Sequence, residues 1–203
     1  MSQPYTPGLP PIPGTTRELD ALCEKFGTGS CEFLRLEGVD ATTDLVNQEM
    51  ETRRWVHLAC HASQDTDRPL KSGFALHDGR LELSEIMKRN IPQCELAYLS
   101  ACQTSAGDEK LSEEAVHLAA GMLAAGYQGV VATMWSIKDK HAPDVAGEFY
   151  EYLLEQGKVE GNGRLDSSRA AYALHHAMHC LRKDIGDSED ALLTWVPYVH
   201  FGL

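Results

Sequence analysis

The stretch WVHLAC, residues 55–60, runs directly into His61, and the stretch ELAYLS, residues 95–100, is followed one residue later by Cys102. Short apolar runs of this kind favour buried strands. A third run, VVATMW, covers residues 130–135. Because amphipathic helical patterns separate the three runs, they predict a parallel sheet with helices on both faces. We therefore expect an α/β protein with a three-layer fold and a mostly parallel central sheet.

Apolar residues recur with helical spacing in six segments that we expect to cover the sheet: residues 15–26, 44–54, 84–92, 112–126, 142–153 and 170–181. A short strand is predicted over residues 32–36. The alternating pattern of residues 74–83 contains Asp78-Gly79, a dipeptide typical of a type I′ turn. The pattern therefore predicts a hairpin between the first two strands of the parallel sheet.

Domain organisation follows from length and from one proline-rich segment. At 203 residues the chain can bury one good-sized core. Residues 4–14 contain five of the nine prolines, a composition that disfavours helices and central strands. We therefore interpret residues 1–14 as a connector and residues 15–203 as the folded domain, preceded by a further region in a longer protein.

Composition limits the class of partner and the compartment. Lys and Arg number 18 and Asp and Glu number 30, so the net charge is −12. An acidic chain without a Lys/Arg tract is a poor ligand for nucleic acid or an anionic membrane, whereas a basic peptide would suit it. No apolar run reaches the roughly 20 residues of a membrane span. Several of the six cysteines lie in apolar stretches, so we expect reduced thiols and a cytoplasmic location.

A histidine and a cysteine follow the first two predicted strands. Ligands of open α/β sheets bind outside the carboxyl ends of the strands, where His61 and Cys102 would face each other if the strands are neighbours. A thiol becomes a good nucleophile beside a base, and imidazole is a common one. The 41 residues from His61 to Cys102 leave room for one hairpin and one short helix. The spacing therefore favours a nucleophilic Cys–His pair.

Five segments resemble the CHAT domain, a caspase-like family often fused to tetratricopeptide repeats: HLACHA (57–62), LSACQTSAGD (99–108), EEAVHLAAGMLAAGYQGVVATMWSIKD (113–139), FYEYLLEQG (149–157) and ALLTWVPYVHFG (191–202). SACQT is also a partial match to the caspase nucleophile signature. The resemblance implies the caspase–haemoglobinase fold and a cysteine endopeptidase that acts on protein or peptide substrates. His61 would be its catalytic histidine and Cys102 its nucleophile, under the control of an upstream repeat or sensor domain.

The sequence departs from the family at one position, because a glycine usually follows the catalytic histidine and Ala62 stands here. By the resemblance, the backbone N–H groups of Ala62 and Cys102 would hold the oxyanion. Alanine keeps the N–H, but a left-handed backbone would cost it about 1–2 kcal/mol. This departure keeps a second hypothesis open, a catalytically weak or inactive caspase-fold module for interaction or signalling.

Acidic residues are frequent in the loops after the strand ends, among them Asp65. A carboxylate near the crevice favours a substrate with Arg or Lys before the scissile bond, and only Arg68 is placed to select an acidic residue instead. By family analogy, residues 135–138 form a groove wall that pairs with the substrate backbone. We therefore assign substrate binding to a set of loop residues: Asp108, Trp135, Ser136, Lys138 and Asp139.

Two groups of histidines have the spacing of metal ligands. His57 and His61 are four residues apart but lack the glutamate of the zincin signature. In HHAMHC, residues 175–180, two histidines could share a helix face with Cys180, yet no fourth ligand is evident in the sequence. We therefore expect neither a metal nor a cofactor.

Overall fold

The computed structural model describes residues 1–27, 33–63, 65, 67–89, 91, 93–103, 114–159, 161 and 164–202, with the backbone alone for residues 101–103 and 114–117. Its strands are β1 Trp55–Ser63, β2 Gly73–Ala75, β3 Arg80–Glu82, β4 Leu96–Gln103, β5 Gly129–Thr133 and β6 Tyr198–Gly202. Its helices are α1 Gly14–Phe26, α2 Thr43–Met50, α3 Leu83–Ile86, α4 Glu114–Ala124, α5 Ala142–Val159, α6 Ala170–Ile185 and α7 Glu189–Trp195.

The strands form one sheet in the order β3-β2-β1-β4-β5-β6. The central strands β1, β4 and β5 are parallel neighbours. Strand β2 is antiparallel to both β1 and β3, and β6 is antiparallel to β5. Four strands therefore run one way and two the other way, which confirms the mostly parallel sheet.

Each face of the sheet packs against its own set of helices. The first core joins the sheet to α2, α3 and α4 and contains Met50, Met122 and Cys60. The second core joins the sheet to α1, α5 and α6 and contains Leu22 and Phe149. Alternation along β1 sends Cys60 into the first core, as predicted, and the three-layer arrangement is confirmed.

The hairpin between β2 and β3 exists, but its predicted turn type is wrong. The Leu76 N–H donates to the Gly79 carbonyl at 2.7 Å, so Gly79 lies opposite Leu76 and not at the centre of the turn. Neither Asp78 nor Gly79 has the positive φ that a type I′ turn needs. The Asp78 carboxylate instead accepts hydrogen bonds from the N–H and the hydroxyl of Thr43 at the start of α2, at 2.8 and 3.2 Å. A contact with a distant segment therefore decides the loop conformation.

Residues 1–14, the predicted connector, lie against the sheet. Ser2 is fully buried and forms single-residue parallel bridges with Glu37 and Ala59. Residues 33–36 do not form the predicted strand, because an isolated bridge beside them replaces a ladder. Residue 32 and the predicted helix start at residue 112 lie outside the described residues. The boundary at residue 14 stays a prediction.

Candidate active site

The register of the two central strands places His61 directly beside Cys102. The two residues are Cα partners in the parallel pair of β1 and β4. Both lie close to the carboxyl ends of their strands, which are Ser63 and Gln103. His61 is 3% exposed. The residues that the sequence singles out therefore meet at the edge where open α/β sheets bind ligands.

The imidazole of His61 is held by the backbone of the N-terminal segment. Its Nε2 lies 2.7 Å from the carbonyl oxygen of Pro10. Because a carbonyl oxygen can only accept, Nε2 carries the proton and the neutral ring keeps its lone pair on Nδ1. Nδ1 is buried and has no hydrogen-bond partner among the described residues. The ring is thus fixed with its basic nitrogen able to receive a proton, which is what a general base requires.

Two consecutive prolines fix the direction of this carbonyl. The ring of Pro10 sets its own φ, and Pro11 restricts the ψ of the residue before it. Both side chains are exposed, so they act through the backbone rather than through packing. The sequence analysis missed the contact because 51 residues separate Pro10 from His61, although the Pro-Pro dipeptide was a local signal of a rigid backbone.

Two further hydrogen bonds anchor the segment that contains Pro10. The Ile12 N–H donates to the Pro4 carbonyl at 3.0 Å and closes a loop. The Gly14 N–H donates to Asp139 Oδ2 at 2.7 Å. A Cβ added to Gly14 would lie 2.3 Å from the Asp139 carbonyl oxygen, so only glycine permits this close approach. The loop after β5 therefore holds the segment that orients His61.

Ala62 lies within β1 and not at a turn. It pairs with Phe74 of β2 and with Gln103 of β4, and it is 1% exposed in the first core. No non-glycine residue in the described part of the chain has a positive φ. The left-handed strain that the sequence raised as a condition is therefore not present at Ala62.

Helix α7 contacts the predicted groove wall that follows β5. The indole Nε1 of Trp135 donates to the Leu193 carbonyl at 3.0 Å. Lys138 forms an ion pair with Asp190. Both contacts involve exposed groups, which individually contribute little to stability. The wall is therefore covered in part by a neighbouring helix of the same chain.

The other predicted substrate residues differ in what the structure describes. Asp139 is partly buried and binds the Gly14 N–H through Oδ2. Ser136 is exposed. Asp108 lies outside the described residues. Because β4 and β5 are parallel, residues 135–139 follow the same edge of the sheet as His61.

Arg68, the cation considered for an acidic substrate, is engaged within its own loop. Its Nη2 lies 3.0 Å from Asp65 Oδ2, and its backbone N–H donates to Oδ1 at 2.8 Å. The backbone hydrogen bond, followed by the guanidinium charge, lowers the pKa of the Asp65 carboxyl. The charge of this cation is therefore paired within its own loop.

A buried polar cluster lies under the central strands on the side of α1. The fully buried Glu18 accepts a hydrogen bond from the Ser100 hydroxyl at 2.9 Å. Its Oε1 lies 3.0 Å from His57 Nε2, which is within ion-pair distance. The angle between the two groups does not allow a hydrogen bond. The His57 ring stacks on Tyr98 with 4.7 Å between centroids. The cluster holds β4 at Ser100, two residues before Cys102. The sequence did not predict it, because a single glutamate in a helix is usually a surface residue.

Fold and site together define a caspase-like arrangement, with the histidine of one parallel strand beside the cysteine of the next. The family model of the CHAT domain matches residues 1–203, the whole chain. The chain therefore belongs to the CHAT domain family, which consists of caspase-like cysteine peptidases. A search of curated proteins finds no match. Among the described residues, none of the helices combines the length and apolar character that a membrane span needs.

Proposed function

We propose that the protein is a cysteine endopeptidase in which Cys102 is the nucleophile and His61 is the general base. The observation that carries the proposal is the hydrogen bond from His61 Nε2 to the Pro10 carbonyl, because it leaves the lone pair on Nδ1. The strand register supports it by pairing His61 with Cys102. A nucleophile, a base and a group that orients the base are the parts that this chemistry needs.

In the proposed reaction, His61 Nδ1 takes the thiol proton of Cys102, and the thiolate forms a C–S bond to the scissile carbonyl carbon. The displaced electron pair moves to the carbonyl oxygen, for which the N–H groups of Ala62 and Cys102 are the proposed donors. The C–N bond then breaks, and the imidazolium gives its proton to the leaving amine. Water, deprotonated by the same imidazole, then attacks the thioester carbonyl carbon. The C–S bond breaks and releases the acid product, and the imidazolium returns its proton to the Cys102 sulfur. The Pro10 carbonyl accepts from Nε2 throughout and stabilises the imidazolium.

The proposal includes a preference for Arg or Lys before the scissile bond. Asp139 provides a carboxylate after β5, and Asp108 provides a second one in the sequence after β4. Arg68 is paired with Asp65 and so gives little support to an acidic residue. The net charge of −12 favours the approach of a basic peptide.

We also propose that an upstream sensor or repeat region controls the site. Helix α7 supports this idea, because Trp135 and Lys138 already contact Leu193 and Asp190. A substrate strand that pairs with this wall has to displace α7 or fit beside it. A partner that moves α7 would therefore raise the activity of an otherwise slow enzyme.

The cysteines support a reducing compartment, and we propose a cytoplasmic location. None of the four cysteines whose side chains are described forms a disulfide: Cys23, Cys60, Cys94 and Cys180. A thiol nucleophile persists most readily where disulfides are rare.

A peptide-library cleavage profile of the reduced protein tests the proposal, with Cys102→Ala, His61→Ala and the double variant as comparisons. Each single variant should abolish cleavage, and the double variant should lose little more, because the pair acts as a unit. Circular dichroism checks that the variants fold. Near wild-type turnover in either single variant would refute the assignment.

The labelling rate of Cys102 by iodoacetamide separates the proposal from the interaction-module alternative. Mass spectrometry distinguishes Cys102 from the other thiols. An imidazole-activated thiol reacts faster near neutral pH than an unassisted one, so His61→Ala should slow labelling at this site. Equal rates in both proteins, together with no cleaved peptide, would favour the interaction module.

A further inference from the structure

Helices α5 and α6 bring together three side chains that can bind a metal ion. Glu148 lies on α5, and His176 and Cys180 lie one turn apart on α6. One ligand atom from each residue lies within 4.8 Å of the other two. The HHAMHC motif lacked a further ligand in the sequence, and the structure supplies Glu148 from a different helix.

The two separations that involve His176 match those around a tetrahedral zinc ion. His176 Nε2 is 3.4 Å from Glu148 Oε2 and 3.6 Å from Cys180 Sγ. Zinc bonds of about 2.0 Å to oxygen, about 2.1 Å to nitrogen and about 2.3 Å to sulfur, at about 109°, separate N from O by about 3.3 Å and N from S by about 3.6 Å. The Tyr152 ring lies beside His176, with 5.3 Å between centroids, and limits its rotation. His176 Nε2 therefore already lies at zinc-like distances from both of the other ligand atoms.

We propose that Glu148, His176 and Cys180 bind a divalent transition metal ion, with Zn²⁺ as the preferred ion. Carboxylate, imidazole and thiolate are all zinc ligands, whereas Mg²⁺ and Ca²⁺ take oxygen ligands. Three protein ligands leave a fourth tetrahedral position for water. The ion links α5 to α6 and shares no ligand with the proposed catalytic pair.

The surroundings of the site attract a cation. The adjoining groove is lined by carboxylates from three helices: Glu24 of α1, Asp144 of α5 and Asp184 of α6. Lys25, which also lines the groove, forms an ion pair with Glu151. The negative charge around the site lowers the free energy of a bound divalent ion.

The metal replaces a proton when it binds. The S–H bond of Cys180 breaks on binding, its proton leaves to solvent, and the S–metal bond forms.

Titration of the reduced Cys102→Ala protein with Co²⁺ tests the site, since this background lacks the thiol of the proposed catalytic pair. We expect one equivalent to bind, with a thiolate-to-cobalt charge-transfer band and tetrahedral d–d bands that Zn²⁺ abolishes. Adding Cys180→Ser should remove the charge-transfer band. Adding His176→Ala or Glu148→Gln should weaken Co²⁺ binding at least about tenfold. His179→Ala, an exposed histidine on the same helix, is the matched control and should change nothing.

A second measurement uses stability, because an ion that links two helices stabilises the folded protein. Zn²⁺ should raise the Tm of the Cys102→Ala protein and leave that of Cys102→Ala/Cys180→Ser unchanged. Three results would each overturn the proposal: no saturable Co²⁺ binding, a charge-transfer band that survives Cys180→Ser, or an equal effect of His179→Ala and His176→Ala.

Discussion

Replacing Asp139 by alanine tests whether the loop after β5 controls the orientation of the catalytic histidine. Asp139 accepts a 2.7 Å hydrogen bond from the Gly14 N–H. Gly14 follows four residues after Pro10, whose carbonyl holds His61. Asp139→Asn is the matched control, because an amide oxygen can accept from the same N–H while the charge is lost.

The size of the effect follows from the kind of hydrogen bond. A hydrogen bond to a charged group contributes about 1.5–3 kcal/mol. Because Asp139 is only partly buried, we expect Asp139→Ala to lower the free energy of unfolding by about 1–2 kcal/mol. If the whole loss of about 1–2 kcal/mol falls on the positioning of the Pro10 carbonyl, kcat/KM should fall about fivefold to thirtyfold. This follows from a tenfold change in rate for about 1.4 kcal/mol.

Urea unfolding measures the free energy of unfolding of each variant, and cleavage of an Arg-containing peptide measures kcat/KM. The asparagine variant should lose about half as much stability as the alanine variant, because a neutral hydrogen bond is about half as strong as a charge-assisted one. It should also lose part of its preference for Arg over an uncharged residue. Two results would refute the reasoning. One is an equal loss of stability in both variants, and the other is a destabilised alanine variant with unchanged kcat/KM.

Three further predictions concern the backbone near the site and the pH dependence of stability. Pro11→Gly should lower kcat/KM about twofold to fivefold, because freeing the backbone costs about 0.4–1 kcal/mol. Replacement of the exposed Pro7 by glycine is the control. An equal loss of kcat/KM in the Pro7→Gly and Pro11→Gly variants would contradict the role of the Pro10 carbonyl. Ala62→Gly should lower the free energy of unfolding by about 1–2 kcal/mol without raising turnover, since it removes a buried methyl group and adds chain entropy; a gain in turnover would reopen the question of strain. Burial lowers the pKa of His200 from 6.5, so the unfolded chain binds this proton more readily and stability should fall as the pH drops through 6.5 towards the lowered folded value. His200→Gln should flatten that part of the urea-unfolding profile, and an unchanged slope would show that other groups set it.

The central strands could be predicted because their signals are local. WVHLAC and ELAYLS are each a continuous apolar run, and residues just after such a run lie near the carboxyl end of the strand. Parallel pairing then places His61 beside Cys102. The chemistry of the pair could be predicted for the same reason, since His61 and Cys102 lie one and two positions beyond the two runs.

Contacts between distant segments could not be predicted from these patterns. The Pro10 carbonyl and His61 are brought together by packing of the N-terminal segment on the sheet, and Glu148 reaches His176 only because α5 and α6 are neighbours. The turn at Asp78 was predicted wrongly for a similar reason. Its carboxylate caps α2, and this distant contact outweighs the local preference of the Asp-Gly dipeptide.

The group that orients His61 belongs to the backbone, and this has a consequence for mutagenesis. A backbone carbonyl accepts the hydrogen bond whatever residue stands at position 10, provided that the backbone keeps its path. An alanine at position 10 would therefore keep the acceptor and change only how firmly the backbone directs it. An ester in place of the peptide bond between residues 10 and 11 would change the acceptor itself, and so would detect a catalytic contribution that substitution of side chains leaves hidden.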